Sequence, residues 1–183
     1  MLIIQAFINL LIPARGLIIN NSSASTEMPS LFSSVYSSSK AALNAYSTVL
    51  RMELRLFNVR AMVSMTGTVG TNMPSKAEQS LPPTSLYAAV NDMYRSRITW
   101  SQRAGTMSAE DFAKGFVTHA LEGEGWFRGW IGGSLDWYWK GGMTGLIWWL
   151  TLFPRWFSEG AVSRSFGMGK MSARIREAQL KTD

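Results

Sequence analysis

Tyr36 and Lys40 stand four positions apart at the head of the Ala-containing run "VYSSSKAAL", residues 35 to 43. Four residues are about one helical turn, so a helix presents both side chains on one face. An ammonium held beside a phenol favours the phenolate, which suits such a pair to proton exchange near neutral pH. A bare Y-x-x-x-K is more often an ordinary surface helix, so the flanking sequence has to decide what this one is.

Upstream, "GLIINNSSAS" (Gly16 to Ser25) predicts a short buried strand, Leu17-Ile18-Ile19, running into a polar turn of Asn and Ser. Ser23 precedes Tyr36 by 13 residues. Downstream, Val59, Ala61, Val63 and Met65 fall on alternate positions, so a second strand is expected to end in the loop Thr66-Gly67-Thr68-Val69-Gly70-Thr71. Strand, Ser-rich turn, helix with Tyr and Lys, strand and Gly/Thr loop make a β-α-β unit.

With these three motifs in this order, the sequence resembles the short-chain dehydrogenases/reductases. That family carries N-x-S-S after a central strand, Y-x-x-x-K about 13 residues beyond the serine, and then a P-G-x-V-x-T loop. Here they read Asn20-Asn21-Ser22-Ser23, Tyr36 to Lys40 and Thr66 to Thr71, with Thr66 in place of the usual proline. Within the family the chain looks most similar to the fungal branch of 1-acyldihydroxyacetone-phosphate reductases, in the Thr-Gly of that loop, in "RGLII" before the serine and in a Trp-rich C-terminal segment. The motif-bearing resemblance covers residues 1 to about 73 and a looser one runs to about 172.

The resemblance implies an NADPH-dependent reductase or dehydrogenase acting on a hydrophobic ketone or alcohol, lipid-like or an intermediate of fungal secondary metabolism. It implies Tyr36 as the acid/base that exchanges a proton with the substrate oxygen. Lys40 would favour the phenolate and hydrogen-bond the nicotinamide ribose. Ser23 would hold the substrate oxygen, since a hydroxyl both donates and accepts. Thr71 and the backbone at Val69 would meet the nicotinamide carboxamide, so that Tyr36, Lys40, Val69 and Thr71 contact NADP(H). No metal is implied.

The family's phosphate-cradling loop, T-G-x-x-x-G-x-G after a first strand, does not occur in the 183 residues. Thr66-Gly67-Thr68-Val69-Gly70 is not a substitute, because it follows the catalytic helix and lacks the third glycine. Asn9 lies too close to the strand to be the family's fourth catalytic residue. The fold class expected is therefore α/β, the C-terminal part of a Rossmann-type doubly wound parallel sheet lacking its first β-α units. Either a start lies upstream of Met1 or a shortened protein is made. The isolated chain is expected to be inactive, and the alternative function is a non-catalytic remnant or oligomerisation subunit, since the family's dimers use the helix carrying Tyr36 and the next one.

The single partial domain, 1–183, divides into a catalytic β-α-β core (1–73), a substrate lid with the following helix (74–124), a Trp-rich hydrophobic segment (125–157) and a basic tail (158–183). In the lid region a helix is expected from Leu86 to Ile98. Ser108-x-x-Asp111 reads as a capping box for a helix whose apolar face is Phe112, Phe116, Val117, Ala120 and Leu121. His119, the only histidine, falls off that stripe and is expected on the helix surface. Phe127 to Ile131 is the expected last strand of the sheet.

Residues 125 to 157 hold seven of the eight tryptophans. The 14 uncharged residues between Lys140 and Arg155 are too few for a spanning helix, which needs about 20. Such a segment either lies in a membrane interface, where Trp is at home and flanking Lys and Arg snorkel, or covers the substrate pocket or a dimer interface.

The remaining composition narrows the classes. At 46% hydrophobic and 16% charged, the chain has material for one core, and its 12% aromatic content argues against disorder. Absence of cysteine excludes disulfides and thiolate metal sites and fits a reducing compartment. "MLIIQAFINLLI" lacks the basic start and small-residue cleavage site of a signal peptide, so the expected location is intracellular, in the cytoplasm or peripheral on the endoplasmic reticulum or lipid droplets. A net charge of +6 raises nucleic acid as a partner, but the basic residues are scattered and no nucleic-acid-binding signature occurs. No G-x-S-x-G elbow supports a serine hydrolase. A hydrophobic small-molecule substrate, peripheral membrane contact and a homo-oligomer are the partners expected.

Overall fold

The computed structural model describes residues 2–71, 79–103, 105–125, 131–133 and 136–180. Helix α1 (Leu2–Ala14) leads into strand β1 (Leu17–Ser23), helix α2 (Ser34–Leu54) and strand β2 (Arg60–Thr66). Helices α3 (Asn91–Arg103) and α4 (Ala109–Leu121), the short strands β3 (Glu124–Gly125) and β4 (Ile131–Gly133) and strand β5 (Trp137–Lys140) follow. Helices α5 (Thr144–Leu150), α6 (Arg155–Ser165) and α7 (Met168–Leu180) complete the order.

The main sheet has the order β1-β2-β5 and is wholly parallel. Leu17 pairs with Arg60 and Ser23 with Thr66, while Val63 pairs with Trp137 and Thr66 with Lys140. Residues paired in register share a face of the sheet. Ile18, Ala61, Val63 and Trp137 therefore lie on one side, where Ile18 and Ala61 pack with Leu50 and Leu54 of α2. Ile4, Ile8, Leu11 and Ile12 of α1 close the same cluster. Ser64 and Tyr138 lie on the other side, where Phe112, Phe116 and His119 of α4 pack on the Tyr138 ring. Helices thus cover both faces, as expected for a doubly wound α/β fold.

This sandwiching explains β2. Alternation of apolar residues is the mark of a strand buried on one face, yet every residue from Ala61 to Met65 is buried, because a central parallel strand has a core on each side. Complete burial of a side chain such as Met65 or Val63 stabilises the fold by about 1.5–3 kcal/mol each. β1 is longer than expected and takes in the polar residues Asn20 to Ser23. Asn20 is accommodated by donating to Ser47 of α2 at 2.8 Å.

Three expectations are corrected. Helix α3 begins at Asn91, not Leu86, because Ala88–Val90 forms a 3-10 turn ahead of it. The third strand of the main sheet is Trp137–Lys140, whereas Ile131 begins a strand paired antiparallel with β3; residues 127–130 of the expected strand lie outside the described residues. On α4, Ser108 does cap the helix, accepting from the Asp111 amide at 3.0 Å. Val117 and Leu121 are nevertheless exposed, and His119 turns inward to stack on Tyr138 at 4.7 Å. Gly115 allows that approach, since a Cβ there would lie 2.9 Å from the Tyr138 hydroxyl.

Candidate active site

In a parallel sheet all the C-terminal strand ends lie at one edge, where α/β folds build their sites. Here that edge carries Ser23, Thr66 and Lys140, one from each strand. Helix α2 enters over it. Tyr36 and Lys40 occupy its first two turns, as the spacing predicts, with Lys40 Nζ 5.9 Å from the Tyr36 ring centroid. Lys40 Nζ donates to the backbone carbonyl of Asn21 at 2.8 Å, which ties the ammonium to the end of β1. An ammonium has three protons, so this bond leaves two for a ligand.

Tyr36 is 50% exposed, and its hydroxyl makes no hydrogen bond among the described residues. Ser23 Oγ accepts from the Ser25 amide at 3.2 Å and from Ser25 Oγ at 3.0 Å. Both contacts use Ser23 as acceptor, so its own proton remains for another oxygen. The pair and the serine therefore stand at one edge with a donor and an exchangeable proton presented to solvent.

Two residues that the spacing did not single out complete this edge. Thr66 Oγ1 donates to Asn21 Oδ1 at 2.9 Å and lies 3.0 Å from Ser64 Oγ. The residue read as a departure from the family's proline thus joins the ends of β1 and β2 through Asn21. The only signal for it in the sequence is the substitution itself.

The loop after β2 is held by glycine contacts. A Cβ on Gly67 would strike the Gly142 carbonyl, and one on Gly141, at φ 111°, would lie 2.9 Å from the Gly67 amide. Two backbones can lie this close only without side chains. Thr68 and Gly142 exchange amide bonds of 3.1 and 2.8 Å. Beyond them, Met107 N donates to Thr68 O at 3.1 Å and Gly70 N to Met107 O at 2.9 Å. Amide direction alternates along an extended chain, so the Val69 amide points away from Met107. Thr71 is exposed.

These residues fit one end of a nicotinamide dinucleotide. Lys40 has protons for a ribose, and the Val69 amide and Thr71 hydroxyl are available to a carboxamide. The pyrophosphate end is not fitted by this chain, because the segment T-G-x-x-x-G-x-G does not occur in its 183 residues. Among the described residues no group of three or more His, Cys, Asp or Glu is placed to hold a metal.

The fold and this edge define a parallel α/β protein with a Tyr-Lys pair one helical turn apart at the C-terminal ends of its strands. Residues 1–82 match the family model described as short chain dehydrogenase. The chain is 30% identical over 185 residues to the short-chain dehydrogenase virD of Hypocrea virens, covering 100% of this chain and 60% of that protein. It is 36% identical over 157 residues to the short-chain dehydrogenase ptmH of Penicillium ochrochloron, covering 85% and 54%. It is 30% identical over 176 residues to the NADPH-dependent 1-acyldihydroxyacetone phosphate reductase of Saccharomyces cerevisiae, covering 94% and 56%. A solved short-chain dehydrogenase from Streptomyces avermitilis superposes with TM-score 0.57 at 18% identity, over 93% of this chain and 57% of that one. The chain belongs to the short-chain dehydrogenase/reductase family. It spans little more than half the length of the curated relatives it matches.

Proposed function

We propose that this chain carries the proton-transfer part of an NADPH-dependent reductase acting on a hydrophobic ketone or alcohol. The observation that carries the reading is the Tyr36 hydroxyl standing half exposed one turn from Lys40, whose ammonium is anchored on Asn21 beside Ser23. When bound, the nicotinamide supplies or accepts hydride. Ser23 donates its proton to the substrate oxygen and orients it. Tyr36 gives a proton to that oxygen during reduction and removes one during oxidation. Lys40 stabilises the phenolate left behind and binds the ribose.

A lipid-like substrate is supported by the Saccharomyces cerevisiae relative, whose name specifies an acylated dihydroxyacetone phosphate. It is also supported by the apolar surface that Trp148, Trp149, Leu152 and Trp156 expose. We assign to that surface contact with a membrane interface, where indole rings sit at headgroup depth and Arg155 can reach phosphates. No helix among the described residues is long and apolar enough to cross a membrane.

The test is a chimera in which the glycine-rich N-terminal units of a matched relative precede residue 1. It is expected to oxidise NADPH in the presence of a long-chain ketone and to stop doing so with Tyr36→Phe. Equal rates with and without that change would overturn the reading. A second reading, a non-catalytic subunit, is favoured by one observation: β1 pairs only with β2 among the described residues, leaving an open strand edge for another chain. Calorimetric titration of residues 1–183 with NADPH bears on it, and stoichiometric binding would exclude it.

A further inference from the structure

Arg97 lies on α3 and reaches the entrance of α2. One of its terminal nitrogens donates to Ser33 Oγ at 3.4 Å, a long bond, and its guanidinium lies 5.2 Å from the Phe166 ring centroid. Its Nε is buried without a hydrogen-bond partner. Among the described residues no carboxylate pairs with it. The acidic neighbour on its own helix, Asp92, is already taken by Arg174, which donates to both carboxylate oxygens at 2.9 and 2.8 Å. Burial pulls the Arg97 pKa down from its usual value, as happens to a charge that has lost water without gaining a counter-ion.

Arg97 also lines a cavity of about 200 Å³ with Met93, Ser96, Trp100, Ser165 and Phe166. Trp100 and Phe166 meet edge to face at 5.8 Å, so the cavity joins an aromatic wall to one cation and two hydroxyls. An apolar body fits the wall, and a planar guanidinium is the side chain best matched to a carboxylate or phosphate. Ser33 precedes Tyr36 by three residues, about 4.5 Å of rise along α2. The Arg97 guanidinium thus stands between the cavity and the start of the helix that carries Tyr36.

We propose that this cavity is a binding subsite for the anionic head, carboxylate or phosphate monoester, of an amphipathic molecule. That the molecule is the substrate rests on the reductase reading; that the subsite binds it does not.

The experiment is calorimetric titration of the 183-residue chain with octyl phosphate and octanoate below their micelle concentrations, and with 1-octanol and inorganic phosphate as controls. Saturable binding of one amphiphilic anion per chain is expected, at least about tenfold tighter than octanol or inorganic phosphate, as a charge-assisted contact added to apolar burial predicts. Arg97→Gln should lose at least about tenfold in affinity for the anions and leave octanol unchanged, while Arg97→Lys should keep part of it. Equal affinity for octyl phosphate and octanol, equal affinity for inorganic phosphate, or no loss with Arg97→Gln would overturn the proposal. If Arg97→Gln fails to fold, the comparison of anion with alcohol on the unaltered chain decides by itself. Tyr36→Phe should bind octyl phosphate as before, so failure of the reductase reading would leave this result standing.

Discussion

Thr66 Oγ1 donates to Asn21 Oδ1 at 2.9 Å, closing the C-terminal ends of β1 and β2 over a separation of 45 residues. The Asn21 carbonyl meanwhile receives the Lys40 ammonium at 2.8 Å. One asparagine thereby links the sheet edge to the helix that carries Tyr36. Thr66→Val removes the donor and keeps the shape. It should cost about 0.5–1.5 kcal/mol in denaturant unfolding, with Thr66→Ser close to the unaltered chain.

Tyr36→Phe tests the chemistry without disturbing packing. Its hydroxyl makes no hydrogen bond among the described residues, so the thermal midpoint should hold. In the NADPH-oxidising chimera the rate should fall by about 10²–10⁴, the usual loss on removing a general acid. Lys40→Met should weaken NADPH binding as well as the rate, which separate KM and kcat measurements would show.

Gly67→Ala places a methyl group against the Gly142 carbonyl. The loop must shift at its contact with Gly141 and Gly142, and a loss of about 1–3 kcal/mol is expected from calorimetric unfolding. Gly145→Ala is the control, because a Cβ there meets nothing within 4 Å.

The outer face of α1 exposes Leu2, Ile3, Phe7 and Leu10, and among the described residues β1 pairs only with β2. Exposed apolar surface and a strand edge without a partner both favour association. The 183-residue chain should therefore run as oligomers or aggregates in light scattering, and Ile3→Lys with Phe7→Lys should reduce their size. A monodisperse monomer would contradict this.

Membrane contact through α5 and α6 predicts sedimentation with liposomes, released by detergent more than by salt. Trp148→Ser with Trp149→Ser should weaken it, since both rings are half exposed. Unchanged sedimentation of the double variant would assign these aromatics another role.

Arg174 holds the Asp92 carboxyl below its ordinary pKa of 3.8 by hydrogen bonding. A carboxyl depressed in the folded state stabilises above the unfolded value, and that contribution disappears as pH falls through the folded one. The pair is exposed, so the effect is small. Arg174→Gln should flatten the dependence of the unfolding midpoint below about pH 4 and leave its acid limit unchanged.

The sequence alone determined the β1-α2-β2 unit and the Tyr36-Lys40 pair, because both are local. A four-residue step places two side chains on one helix face whatever surrounds it, and a Ser-rich turn between apolar strands is readable within a few residues. The roles proposed for Ser23, Val69 and Thr71 come from the family motifs alone. Tertiary structure decided the rest. Five apolar residues and one histidine on α4 leave several faces that could turn inward, and contact with Tyr138 selected His119 over Val117 and Leu121. Trp137–Lys140 became the third strand because its backbone meets Val63 to Thr66, a pairing that no local periodicity encodes. The bond from Thr66 to Asn21 and that from Arg97 to Ser33 join residues 45 and 64 positions apart. Only the path of the chain through the sheet, set by burial on both of its faces, brings such residues within hydrogen-bonding reach.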